Sequence, residues 1–200
     1  MSAVDEPYLA PYQRAAERHG AGFETLLWAS PQTQQIRFEA IRKIFNPAGK
    51  FVLDAGCGRA DYLEYLLKAA VAPARYIGIE GVEALALAAE EKKLPRARIF
   101  RGDFVRHPAR MFVGADIIVF SGSLNTLDDA AFYETLRHAY QAAGEALVFN
   151  FLASWNLAGR DYLHWRRKQD VRRFVEDFSA SFTMADDYLD GDCTVCVLKD

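Results

Sequence analysis

Residues 49–200 are predicted to form an α/β domain core, a mostly parallel sheet with helices on both faces and an antiparallel C-terminal β-hairpin. Residues 1–48 are predicted to add a helical N-terminal cap to the same compact domain. Three observations predict this fold. From Lys50 onward, short apolar runs alternate with amphipathic segments, as in a parallel sheet with right-handed crossovers. The polar residues Asp54, Glu80, Asp103 and Ser121 follow four of those runs, at the carboxyl ends where such sheets bind ligands. The chain closes with two further runs joined through Asp190-Gly191, a dipeptide that favours a primed hairpin turn.

The elements follow in order. Pro7 and Pro11 punctuate a short helix reaching about His19, Gly20 and Gly22 break it, and Phe23 to Trp28 makes another turn or two. Ser30-Pro31 is a start signal, a capping hydroxyl followed by proline at the first helical position. The helix it opens carries Ile36, Ala40, Ile41 and Ile44 on one face and should end near Asn46-Pro47. Strands are expected near 51–54, 75–79, 97–101, 115–120 and 145–151, with helices near 61–70, 82–92 and 129–143. Ser181 to Tyr188 and Cys193 to Lys199 are the hairpin strands.

Composition limits the function classes. Two hundred residues, half apolar, suit one soluble domain with a real core. A formal charge of −3 gives no overall case for nucleic acid as partner. No apolar run approaches the ~20 residues of a membrane span, and Met1 to Pro11 is mixed and polar, unlike a secretory signal. A cytoplasmic location is expected. Three cysteines make no disulfide framework, and Cys193 and Cys196 read as strand residues pointing to opposite faces, so no metal site is expected.

Phe51 to Asp61 carries the most information: an apolar run, Asp54, the turn Gly56-Cys57-Gly58, and then an amphipathic helix. Glycines let a ligand lie against bare backbone, and the helix start leaves N–H groups pointing at it. Cys57, between the glycines, contributes backbone. The turn alone is ambiguous. A dinucleotide fingerprint needs glycine where Asp61 stands, and a P-loop needs a Gly-Lys-Ser/Thr that is missing.

The order of motifs resembles that of the class I S-adenosyl-L-methionine-dependent methyltransferases, small-molecule type. Val52-Leu53-Asp54-Ala55-Gly56-Cys57-Gly58 resembles their first motif, Tyr76-Ile77-Gly78-Ile79-Glu80-Gly81 the second, Ile99 to Phe104 the third and Ala115 to Ser121 the fourth. The resemblance spans roughly residues 50–200 and implies a Rossmann-like seven-stranded sheet. It implies that Glu80 accepts from both ribose hydroxyls, that Asp103 accepts from the adenine amino group, and that the fourth strand lies under the reacting sulfonium. Phe104 would wall the adenine. Asp54 is expected to hold the glycine loop and to reach the methionine ammonium, directly or through water. Asp61 is a cofactor contact or a helix cap, and Arg37 pairs with the cofactor carboxylate or is a surface arginine. Gly81, Ser121 and Gly122 complete the cofactor set. Ala60 stands where the family often has a third glycine.

No Pro-Pro-Tyr or Pro-Cys motif follows Ser121, so Ser121 to Asn125 resembles the loop of small-molecule members. Ser123, Asn125, Tyr12, Trp155 and Tyr162 are candidate acceptor contacts, within a larger aromatic set that includes Tyr8, Trp28 and Trp165. An acceptor that must lose a proton would need a base, with His164 the first candidate and His138 the second. His164 to Lys168, with Arg172 and Arg173, reads as a solvated basic helix face, or alternatively as a surface that steers anions. The expected reaction is methyl transfer to a small molecule, leaving S-adenosyl-L-homocysteine. Rivals are a silent cofactor-binding module and a Rossmann-type nucleotide-dependent oxidoreductase.

Overall fold

The computed structural model describes residues 6–199, apart from the side chains at 157 and 158; the segment before residue 6, part of the polar N-terminus, lies outside the described residues. Seven strands form one sheet: β1 (Phe51–Ala55), β2 (Arg75–Glu80), β3 (Ala97–Arg101), β4 (Ile117–Phe120), β5 (Ala146–Leu152), β6 (Phe182–Ala185) and β7 (Asp192–Leu198). Their order is β3-β2-β1-β4-β5-β7-β6; β7 runs antiparallel to both β5 and β6, and the other pairings are parallel. The order reverses between β1 and β4, where the chain first crosses from one half of the sheet to the other. A crevice opens there, beyond the carboxyl ends of both strands.

Alternation along the strands divides the core. Leu53, Ile77, Ile118, Phe120, Leu147 and Phe149 face one helix layer, α5 (Asp129–Ala142) and α7 (Lys168–Glu176). Val52, Tyr76, Val119 and Val148 face the other, α2 (Pro31–Ile44) and α3 (Asp61–Lys68). Cys193 belongs to the first cluster and Cys196 to the second, so their side chains point apart as period-two geometry requires. No helix among the described residues is long and apolar enough to cross a membrane.

The N-terminal helices are α1 (Ala10–His19), a 3-10 turn at Phe23–Leu26, and α2. Ser30 caps α2 by accepting from Thr33 N at 3.1 Å while Thr33 Oγ1 accepts from Ser30 N at 3.2 Å, with Pro31 opening the helix. Phe38 and Ile41 bury α2 in the core, so α2 is part of a helix layer. Tyr12 of α1 and Leu26 of the 3-10 turn reach the crevice at the strand ends, and so do Gln34 and Phe38 of α2.

Two local expectations need correction. The Asp190-Gly191 turn does not join the hairpin strands directly. Ala185 pairs with Thr194, so a longer connection intervenes, closed by Asp192 N donating to Leu189 O. Gly191 has φ 77° but Asp190 is not left-handed, which excludes the type I′ geometry. The basic segment is not one helix face: α7 begins at Lys168, and Arg166 is buried with its guanidinium over the Phe132 ring and a nitrogen 2.6 Å from Leu127 O. A short helix, α6 (Trp155–Ala158), and α4 (Glu83–Glu91) complete the set.

Candidate functional site

The turn after β1 is fastened to β2. Gly56 N and Cys57 N both donate to Ile79 O, at 2.8 and 3.1 Å, and Gly58 N donates to Glu80 Oε2 at 2.8 Å. Asp54 does not hold this loop. Its Oδ2 instead accepts from the Tyr76 hydroxyl at 2.5 Å, a partner two strand positions before Gly78. Gly56 sits at φ 80°, and a Cβ there would stand 2.3 Å from Ser123 Cβ, so only glycine lets the two loops meet. Ser123 Oγ donates to Ala55 O at 2.6 Å across that contact. Ala60 takes φ 57°, the left-handed conformation that glycine adopts without strain, so alanine preserves the loop at a small backbone cost.

Counting lone pairs shows what the acids still offer. A carboxylate can accept about four hydrogen bonds. Glu80 uses one on each oxygen, from Gly58 N and from Val82 N at 2.8 Å, leaving one free on each. Burial pushes its pKa up and the backbone N–H groups pull it back. Asp103 accepts from Val105 N and Arg106 N on Oδ1, at 2.8 and 3.0 Å, and from the Tyr8 hydroxyl on Oδ2 at 2.6 Å. One position on Oδ2 remains. Asp54 Oδ1 is buried with no hydrogen-bond partner among the described residues. Burial pushes Asp54 up to about 7, against the Tyr76 hydrogen bond, with Glu80 and Asp61 adding to the rise. Asp61 is the first residue of α3 and makes no cap; it takes hydrogen bonds from Arg59 at 3.0 Å and Lys92 at 2.6 Å.

These groups line one crevice beyond the carboxyl ends of the strands. Asp54, Gly56, Cys57, Gly58, Asp61, Glu80, Gly81, Asp103, Phe104, Ser121 and Gly122 all lie on its wall, so every expected cofactor residue except Arg37 is brought together. A second cavity adjoins it, sharing Tyr12, Leu26, Trp28 and Gly122, and is lined further by Arg37, Asn125, Arg160 and Tyr162. Ser123 faces the first cavity, Asn125 and Tyr162 the second, and Tyr12 both. Arg37 is not a surface arginine: it is 6% exposed, its Nε donates to Asp192 Oδ2 at 2.5 Å, and its guanidinium lies over Trp28.

Trp155 and His164 do not join either wall. Trp155 is 68% exposed, and the His164 backbone N donates to Asn125 O while its side chain lines neither cavity. His138 lies within α5 and lines neither.

Tyr8, Leu9, Tyr12, Leu26 and Trp28 roof the crevice. The roof seats on missing side chains: a Cβ at Gly58 would lie 2.8 Å from Leu26, at Gly81 3.1 Å from Leu9, and at Gly122 2.9 Å from Trp28. Sequence reasoning missed Leu9, Gln34 and Thr126 on the wall, and Asn150, whose Oδ1 accepts from Gly122 N at 2.7 Å and sets the second glycine turn. A lone amide inside the apolar run of β5 was the available signal for Asn150.

No protein-family model and no curated protein matches this chain. Solved structures do. The magnesium protoporphyrin IX methyltransferase of Synechocystis with bound SAM is 13% identical, with all of both chains covered and a TM-score of 0.71. DhpI in its SAM and HEP complex is 13% identical over 100% of this chain and 99% of that one, TM-score 0.72. A SAM-dependent methyltransferase from Archaeoglobus fulgidus is 16% identical over 85% and 95%, TM-score 0.66. The chain has the Rossmann-like fold of the class I SAM-dependent methyltransferases.

Proposed function

We propose that this protein is a SAM-dependent methyltransferase that transfers a methyl group to a small-molecule acceptor. The observation that carries the reading is the pairing of free lone pairs with expected donors around one crevice. Glu80 keeps two acceptor positions for two adjacent ribose hydroxyls, Asp103 keeps one for the adenine amine beside Phe104, and the orphaned Asp54 Oδ1 suits an ammonium. The residues thus fit S-adenosyl-L-methionine. Arg37 keeps N–H groups that Asp192 does not take, and these are suited to the cofactor carboxylate where the two cavities join.

Bound there, the cofactor supplies a methyl group on a cationic sulfur, so the protein's work is placement and exclusion of water. Gly56 and Gly58 let the ligand approach backbone, while Ser121 and Gly122 floor the middle of the crevice. Tyr12, Asn125 and Tyr162 offer polar contacts to an acceptor in the second cavity, whose other walls combine leucines and Trp28 with the charged Glu24, Arg37 and Arg160. His164 lies off that path, which favours acceptors that need no protein base, such as a carboxylate or a neutral amine. Small acceptors accord with magnesium protoporphyrin IX, the molecule named for one structural neighbour.

Titration calorimetry with S-adenosyl-L-methionine and S-adenosyl-L-homocysteine tests the reading. Wild type should bind both, and Glu80→Ala should weaken binding at least about tenfold, the worth of one to two charge-assisted hydrogen bonds. No binding by wild type would refute it. Transfer of label from methyl-labelled cofactor into small molecules of a cell extract separates an enzyme from a silent module.

A further inference from the structure

We propose that Tyr8 is a positioning residue for the cofactor: its hydroxyl fastens the N-terminal roof to Asp103, so that closing the roof and recognising the adenine amine become one event. The inference rests on the cofactor reading above. It is carried by the way Asp103 is held. Two backbone N–H groups occupy Oδ1, and the Tyr8 hydroxyl, coming from a segment 95 residues away, occupies one side of Oδ2. Asp103 is therefore held from both sides, and its one remaining acceptor position has a fixed direction. A carboxylate free to rotate would have to be ordered by the ligand, at a cost in side-chain entropy that the ligand's binding would have to meet. Burial and the neighbouring carboxylate both raise the Tyr8 pKa, so the phenol stays a donor at neutral pH.

The same strap carries two more fastenings. Arg106 reaches Glu6 at 3.0 Å, from the residue whose backbone N–H already serves Asp103. Leu9 rests on Gly81, next to the ribose acid Glu80. Three consecutive contacts from residues 6–9 thus fall on the adenosine end of the crevice. Tyr8 and Leu9 of the strap lie on the crevice wall, so lifting or settling the strap opens or closes the adenosine end. Because each state of the strap presents a different Asp103, roof closure and adenine binding are thermodynamically linked, and each strengthens the other by the same factor.

The test compares S-adenosyl-L-homocysteine with S-inosyl-L-homocysteine, which has a carbonyl in place of the 6-amino group. Affinities are measured by calorimetry on the full chain, for wild type, Tyr8→Phe and Arg106→Ala. Tyr8→Phe should weaken the adenosyl ligand about tenfold, the inosyl ligand much less, and reduce the preference between them about fivefold. Arg106→Ala loosens the strap at a contact away from the Tyr8 hydroxyl, and through the same linkage should lower the preference in the same direction but by less than Tyr8→Phe does. Hydrogen exchange of residues 6–19 should slow when the adenosyl ligand binds wild type, and slow less in Tyr8→Phe. If Tyr8→Phe keeps the wild-type preference, with affinity either retained or lowered equally for both ligands, Tyr8 is only a structural tie and the proposal is wrong. If wild type binds neither ligand, the cofactor reading itself fails, an outcome visible before any variant is made.

Discussion

Asp54 is expensive to keep. Its Oδ1 has no hydrogen-bond partner among the described residues, and burial raises its pKa to about 7. The folded state therefore retains a proton that the unfolded chain releases near pH 4. Between those values the native state binds more protons, so this residue's contribution to stability falls as pH rises and then levels off above about 7. Asp54→Asn removes that loss. In scanning calorimetry the variant should melt above wild type at pH 8, by an amount on the order of 2–4 kcal/mol, and the difference should vanish near pH 4. Cofactor affinity should move the opposite way. In wild type it should strengthen as pH rises through about 7 and the carboxyl ionises, whereas Asp54→Asn should bind weakly at every pH. A stability loss placed beside a ligand crevice is what functional sites commonly show. The strand-end acids were legible in the sequence as acids at strand ends. Their partners were not: Tyr76 was hidden in an apolar strand, and Tyr8 is brought to Asp103 only by the fold.

At the scale of elements, local chemistry set what could be read. Ser30-Pro31 opened α2 because a side-chain oxygen satisfies an orphan N–H and proline needs none. Ser30→Ala should lower the free energy of unfolding by about 1 kcal/mol and Ser30→Gly by only a few tenths, measured by urea denaturation. The loop after β1 behaves differently. Gly56→Ala forces a methyl group into Ser123 and a left-handed backbone onto alanine, so it should abolish cofactor binding and cost at least about 2 kcal/mol. The strands were legible because runs such as Ile117–Phe120 and Ala146–Leu152 are buried on both faces. The segment around Arg166 was not. Nothing near it in the chain announces burial, which is imposed by Phe132 and Leu127. The Asp190-Gly191 turn was found but given too short a span, since a dipeptide signal fixes a bend and says nothing about how far away pairing resumes.

Across the whole molecule, one ion pair joins the N-terminal third to the last strand. Arg37 on α2 and Asp192 at the start of β7 are both buried, and the Tyr188 hydroxyl donates to the second Asp192 oxygen at 2.5 Å. Replacing one member leaves a charge without its partner in the interior. Arg37→Met should therefore cost on the order of 3–5 kcal/mol, and Arg37→Met with Asp192→Leu should regain most of it, as read from chemical denaturation. The order of folding events follows from the same feature. β7 follows β6 in chain order, yet it lies between β5 and β6 and supplies the anchor for Arg37. While the chain is being synthesised, two strands wait with a vacant slot between them and a helix waits for its counter-charge. Insertion of that one strand thus completes the edge of the sheet and the seating of α2 together, so the two are expected to form and to open as a single unit.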